Sequence, residues 1–414
     1  MPVTRVQACR SCGGDDLHTI LSLGPTPLAN QFLDNQEAAR AAARYPLDLA
    51  VCTTCSLVQI MDTVPPEELF SNYLYFSSFS ASFLQHAEGV VDRLCRACDL
   101  GPDSRVVEIA SNDGYLLQYF KARGIPALGI EPAQNVARAA CEERGVETLC
   151  AFFGHDLAKD LVAQGWRADV VVANNVLAHV ADLRGFVAGI SELLAPDGLA
   201  WIEAPYLRCM VDGGQFDTIY HEHLCYYSIT ALVHLFRPHG LVIENVDFSP
   251  FHGGSLCLQV RPAAGRTEGA AVRELLKREA AWGVAQPGSY APFRAGVERL
   301  RHDVIALVEE ETTRGRTVAA YGAAAKGTIL LNAFGLNDER VPFVVDRNPH
   351  KQGRFVPGTG QPILPIEALL ERQPNDLLIL AWNFADEIMN QQRAFADRGG
   401  RFIIPIPKLR TVGQ

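Results

Sequence analysis

From Arg105 onward the chain alternates short apolar runs with helical stretches. Val106-Val107-Glu108-Ile109-Ala110 leads into the polar turn Ser111-Asn112-Asp113-Gly114 and then a helical Tyr115-Leu116-Leu117. Ala127-Leu128-Gly129-Ile130-Glu131-Pro132, Asp169-Val170-Val171-Val172-Ala173-Asn174 and Gly198-Leu199-Ala200-Trp201-Ile202-Glu203 continue the series. Apolar runs separated by helical segments predict a parallel sheet covered on both faces. Leu241 to Arg261 reads as strands that complete this sheet. A charged helical region from Arg273 to Arg314 follows, broken near Gln286-Pro287-Gly288, and its Glu and Arg runs predict a solvated face. Strand and helix then alternate again. Thr317 to Gly322 leads into Ala323-Ala324-Ala325-Lys326-Gly327, Pro342 to Val345 ends at Asp346, and Leu377 to Asn383 supplies another inner strand. The expected class is α/β, with a doubly wound sheet in the middle.

At 414 residues the chain exceeds a single typical core and suits two or three domains. The divisions expected are 1–70, 71–262 and 263–414. An apolar content of 48% with 20% charged residues fits a globular protein in water. The formal charge of -10 argues against a general role on nucleic acid or an anionic membrane. No apolar run approaches the ~20 residues a membrane-spanning helix needs, and the N-terminus lacks a signal-peptide pattern. Eleven cysteines in such a chain point to a reducing compartment, so a cytoplasmic location is expected. Oligomeric state is not legible.

Cys9-x-x-Cys12 and Cys52-x-x-Cys55 form two thiol knuckles. Two intervening residues let both sulfurs of a knuckle reach one ion, and two knuckles close a tetrahedral zinc site. A closed four-sulfur site has no position for substrate, so its role is architectural. The alternative is two unrelated pairs of reduced thiols. Cys95-x-x-Cys98 lies in a helical stretch and reads as small buried thiols. The aromatic run Asn72 to Ser78 either packs the first unit onto the next or offers a phenol to a cleft.

A dinucleotide fold needs several glycines at its first turn, and here the loop offers only Gly114. Glu108 and Asp113 place carboxylates where a cationic ligand is better suited than phosphate. Glu131, 23 residues after Glu108, ends the second strand, where an acidic side chain takes the hydroxyls of a ribose. A ribose plus a cation without phosphate describes S-adenosylmethionine. Further on, Tyr220-His221-Glu222-His223-Leu224-Cys225-Tyr226-Tyr227-Ser228 gathers two imidazoles, a carboxylate and three phenols. It reads either as a metal site or as a polar turn rich in histidine. Gly322 permits a tight turn at a helix N-terminus, where an anion is favoured, and Lys326 adds charge there; the order of a Walker loop is absent.

The segments VVEIASNDGYLL, LGIEP, NNVLAHV and YHEHLCYYS, behind CxxC…CxxC, resemble the sugar C-methyltransferase family acting on nucleotide-linked deoxysugars, over nearly the whole chain. The resemblance implies a zinc-binding N-terminal domain, a class I methyltransferase domain and a second Rossmann-like domain that helps hold the nucleotide-sugar. It implies methylation of carbon 3 of a 4-keto-6-deoxy sugar, usually dTDP-linked, as in antibiotic biosynthesis. By motif position, Glu108, Asn112, Asp113 and Glu131, with Gly114, belong to the S-adenosylmethionine site. Phe153 and Asn174 flank its adenine and methionine parts, and His179 faces the sugar. Lys326 and Lys351 are candidates for the diphosphate, with a structural lysine as the alternative. Ala110 and Asn112 depart from the common glycine-rich loop.

Such a reaction needs a base to remove the proton that the neighbouring ketone acidifies. A histidine is matched to that task near neutral pH. His223 is expected to be the base, with Glu222 and Tyr220 as its neighbours; His179 and Tyr75 hold oxygens as charge builds. A metal at the histidine cluster is then superfluous, and His221, His252 and Tyr73 have no assigned task. Two other readings are a methyltransferase acting on oxygen or nitrogen, and a non-catalytic zinc-containing binding protein.

Overall fold

The computed structural model describes residues 3–70 and 76–413. A seven-stranded sheet occupies the middle of the chain, in the order Leu241–Ser249, Ser255–Pro262, Leu194–Pro205, Ala168–Asn174, Val106–Ile109, Ala127–Ile130, Thr148–Leu149. Its five strands from Leu194–Pro205 onward run parallel, while Leu241–Ser249 and Ser255–Pro262 form an antiparallel hairpin at one edge. Alternation along the inner strands serves two cores. Val171, Ala173 and Ile202 pack on one face and Val170, Val172 and Trp201 on the other, all essentially without solvent contact. That two-sided burial explains why these strands read as unbroken apolar runs.

The N-terminal unit is a four-stranded sheet, Leu17–Pro27, Arg44–Cys52, Val58–Ile60 and, unexpectedly, Cys225–Tyr226. The last strand comes from the histidine-rich stretch and pairs antiparallel with Val58–Ile60, Cys225 opposite Gln59 and Tyr226 opposite Val58. Ser228 ends the stretch by capping the helix Ile229–Phe236, its hydroxyl accepting from Ala231 N at 3.0 Å, an ordinary N-cap.

The C-terminal sheet has six strands, in the order Ile363–Leu364, Val344–Val345, Val318–Tyr321, Asp376–Ile379, Arg401–Ile404, Arg410–Val412. All pairs are parallel except the last. It touches the N-terminal unit directly: Phe355 N donates to Leu33 O at 2.7 Å, and Gln36 Nε2 to Asp338 Oδ2 at 2.9 Å.

Helices Ala270–Trp282 and Ala291–Thr313 are separated by a 3-10 turn at Pro287–Tyr290, where the sequence has its break. The solvated face expected of this region needs correction at two acids. Glu279 is buried and accepts from Tyr206 Oη (2.9 Å), Ile229 N (2.8 Å), Thr230 N (2.8 Å) and Thr230 Oγ1 (2.6 Å). Glu311 is buried against Arg316 and Arg401, at 2.6 and 2.7 Å. Buried carboxylates persist where such donors compensate for lost water; periodicity alone cannot distinguish them from exposed ones.

Candidate active site

A cavity of about 1510 Å³ opens between the three units, and its walls come from each of them. Its floor is the set of loops at the C-terminal ends of the central parallel strands, where open α/β sheets place ligands. After Val106–Ile109 the chain turns sharply: Ala110 and Asn112 hold φ of 55° and 49°, a left-handed conformation that non-glycine residues seldom adopt. The turn is pinned from both sides. Asn112 N donates to Glu131 Oε2 at 3.0 Å and Asn112 Oδ1 accepts from Ser77 N at 2.9 Å. Glu131 Oε1 also accepts from Ala133 N at 2.9 Å, and burial raises its carboxyl to about 6.

Asn112, Glu131, Phe153 and Asn174 line the cavity; Glu108, Asp113 and Gly114 stand behind its wall. Burial holds the Glu108 carboxyl well above the usual range. Asp113 pairs with Arg144 at 3.2 Å, and Gly114, with φ 74°, fits beside Val146. Phe153 meets Phe186 edge-on at 5.3 Å. Asn175, which sequence reasoning missed, lines the same wall with φ 55°, and neither of its side-chain polar atoms has a hydrogen-bond partner among the described residues.

The histidine-rich stretch crosses this floor. His223 Nδ1 lies 2.9 Å from Thr218 O and Nε2 lies 2.8 Å from Tyr220 Oη. A carbonyl only accepts, so in the neutral ring Nδ1 carries the proton and Nε2 presents its lone pair. Tyr226 Oη donates to the same Thr218 carbonyl at 3.2 Å. His179 meets His223 edge-on, ring centroids 4.8 Å apart, and burial lowers its pKa to about 4, which keeps it neutral. Glu222 lines the same cavity, with its carboxyl bonded outside this group. Its Oε1 accepts from Asn30 Nδ2 at 2.7 Å, its Oε2 has no hydrogen-bond partner among the described residues, and burial raises the carboxyl to about 7 against the pull of Asn30 and Lys351. His221 points the other way, into the N-terminal sheet, with Nε2 3.1 Å from Pro46 O. Tyr75 and Tyr73 lie outside the described residues.

The opposite wall carries both candidate lysines. Lys351 Nζ donates to Ala323 O at 2.8 Å and lies 5.3 Å over the Phe32 ring. Lys326 Nζ is buried without a hydrogen-bond partner among the described residues, 4.6 Å over the ring of Trp382. Trp382 Nε1 in turn donates to Asp217 Oδ2 at 2.6 Å. Burial lowers the Lys326 pKa and raises that of Asp217 to about 6, each opposed by the other's charge. Gly322, at φ 97°, and Gly327, where a Cβ would lie 2.8 Å from Gly322 O, keep this turn tight.

Comparison with known proteins bears on what this cleft does. Residues 9–70 match a zinc binding domain, 83–246 a methyltransferase domain and 250–407 a C-methyltransferase C-terminal domain. C-methyltransferase NovU of Streptomyces niveus is 38% identical over 411 residues, 99% of this chain and 98% of that protein. The chain belongs to the C-methyltransferases. The ubiquinone biosynthesis O-methyltransferase of Methylobacterium sp. (strain 4-46) is 34% identical over 107 residues, which are 24% of this chain and 42% of that protein. Among solved structures, the PH0226 protein of Pyrococcus horikoshii OT3 matches 48% of this chain and 99% of its own, at 14% identity and a TM-score of 0.37.

As a C-methyltransferase the chain uses S-adenosylmethionine, and the floor fits that group. The Oδ1 of Asn174, unpartnered among the described residues, the Glu131 carboxylate and the face of Phe153 all border the cavity. The four knuckle cysteines also meet their test. Their sulfurs all lie within 4.8 Å of one another, with Cys9 to Cys55 at 3.5 Å and Cys12 to Cys52 at 3.6 Å. A tetrahedron with metal–sulfur bonds of about 2.3 Å has edges of roughly 3.8 Å, so the cluster has the right size for zinc. Cys95 and Cys98 are half-buried on and just after the helix Ala81–Ala97, away from that cluster. No described helix is long and apolar enough to cross a membrane.

Proposed function

We propose that this C-methyltransferase adds a methyl group to carbon 3 of a 4-keto-6-deoxy sugar carried on a nucleoside diphosphate, with His223 as the base. The observation that carries the reading is the fixed tautomer: Thr218 O holds the Nδ1 proton, leaving a basic Nε2 beside Tyr220 at the cavity. His223 Nε2 takes the carbon 3 proton, and the electron pair moves onto the carbon 4 oxygen. Tyr220 can then accept from the new Nε2–H while donating its own proton toward that oxygen. His179, kept neutral by burial, adds a further polar contact to the developing charge. S-adenosylmethionine, when bound, supplies the electrophilic methyl group; Asn112, Glu131, Phe153 and Asn174 would hold it. Lys326 and Lys351 would meet the diphosphate from the opposite wall. A bound anion would give the buried Lys326 ammonium the hydrogen-bond partner it lacks among the described residues, and desolvated charge makes such contacts strong. Cys9, Cys12, Cys52 and Cys55 would hold zinc.

The test is proton exchange. Incubated in deuterated water with a dTDP-4-keto-6-deoxy sugar and no methyl donor, the enzyme should wash deuterium into carbon 3. Absence of exchange together with absence of carbon methylation across such sugars would refute the proposal. The oxygen- or nitrogen-methylating alternative needs no exchange at carbon, so the same experiment separates the two.

A further inference from the structure

The segment carrying His223 is held in place by the metal-binding unit as well as by its own domain. Leu224, the next residue, is gripped on both sides: its N–H donates to Ala178 O at 2.7 Å, and its carbonyl accepts from Ile60 N at 3.0 Å. Ile60 is in turn fixed by the first cysteine knuckle. Arg10, between Cys9 and Cys12, donates from one guanidinium nitrogen to Ile60 O at 2.6 Å and from the other to Thr63 Oγ1 at 2.7 Å. Arg10 N also donates to Gln59 Oε1 at 3.0 Å, and Gln59 is the residue opposite Cys225 in the sheet. The second knuckle joins the same strand from the other side: Ser56 N donates to Cys52 O at 2.9 Å, and Cys52 N to Leu57 O at 2.8 Å, just before Val58–Ile60 begins. A two-residue strand such as Cys225–Tyr226 has little register of its own, so its neighbour sets it.

We propose that the cysteine-knuckle metal site is a positioning device for the catalytic segment. Bound metal sets the strand Val58–Ile60, that strand sets Leu224, and Leu224 sets His223 against His179. Arg10 is the positioning residue that links knuckle to strand. The S-adenosylmethionine floor hangs on different strands, at Ala110–Asn112 and Glu131, and does not depend on this relay. The consequence for turnover rests on His223 as the base; the structural coupling does not.

Two arms test the proposal on the full-length protein: zinc removal by chelation, and the substitution Arg10→Met with Arg10→Lys beside it. Amide exchange at 58–60 and 223–226, zinc per chain, donor binding by calorimetry and initial rates are measured on each. Zinc removal should speed amide exchange in both segments at least tenfold while donor binding stays within about twofold, and added zinc should restore protection. Arg10→Met should lower kcat by about a hundredfold, the scale expected of a 1 Å misplacement, with little change in donor affinity, and Arg10→Lys should recover part of it. Unchanged protection of 223–226 in zinc-free protein would overturn the relay. Simultaneous loss of donor binding would overturn it too, by assigning the metal to folding of the whole chain. Absence of carbon 3 exchange in the intact enzyme, with the amide coupling present, would sink only the choice of His223 as base.

Discussion

Replacing Glu222 by Gln should stabilise the protein in a pH-dependent way. The carboxyl is fully buried, one oxygen accepts from Asn30 and the other has no hydrogen-bond partner among the described residues, and its pKa is raised from 4.5 to about 7. Below about 4.5 the acid is neutral in folded and unfolded chains alike, and its favourable contribution is fully present. As pH rises the unfolded chain ionises first, so the folded form binds the extra proton and stability falls until the pH has passed about 7. The displacement corresponds to about 3 kcal/mol lost at higher pH. Glutamine keeps the acceptor for Asn30 and has no charge to desolvate. Its advantage should therefore be up to about 3 kcal/mol at pH 8 and under about 1 kcal/mol at pH 5. Urea denaturation of both proteins at the two pH values, followed by fluorescence, reads the difference. An advantage that is absent at pH 8, or equal at both, would refute the assignment of a desolvated acid at this position.

Other outcomes can be checked on single variants. His223→Asn should reduce kcat by about 10²–10⁴, the usual worth of a general base, with donor affinity by calorimetry unchanged; near-normal turnover would remove His223 from that role. Lys326→Met should raise the KM for the nucleotide-sugar about tenfold to a hundredfold, the scale of a charged hydrogen bond, and initial rates at varied sugar concentration would reveal an unaffected KM. Glu279→Ala strips the acceptor from four donors and should cost about 3 kcal/mol or more in denaturant unfolding, since each stranded donor costs about 1–3 kcal/mol; a loss under about 0.5 kcal/mol, the range of ordinary surface changes, would show that the helix surface is solvated after all.

The parallel strands were legible because burial on both faces leaves a local mark, an unbroken apolar run such as Asp169 to Asn174. The four knuckle cysteines were legible because ligand spacing is local too. The partner of Cys225–Tyr226 was not. Its neighbour Gln59 lies far earlier in the chain, and two residues carry no periodicity to announce a strand. Asn30 was missed for the same reason: it is an ordinary residue in an N-terminal turn until the fold sets it against Glu222. Glu222 adjoins His223 in sequence, but the turn closed by His223 N donating to Tyr220 O at 2.9 Å directs its carboxyl to Asn30. Asn175 left one faint signal, a second asparagine after a strand, and asparagine tolerates the left-handed backbone found there.

The shared sheet also bears on how such a chain can be recombined. Its cysteine-rich beginning and its methyltransferase core look like interchangeable cassettes when matched one after another along the sequence. Yet Cys225–Tyr226 completes the sheet of the first cassette while belonging to the second. A graft that exchanges residues before 70 between relatives would bring a foreign strand against the native one, and a core expressed without them would bare the edge of that pair, the kind of edge that invites aggregation. Chimeras should therefore succeed only when Val58–Ile60 and the stretch around 225 travel together.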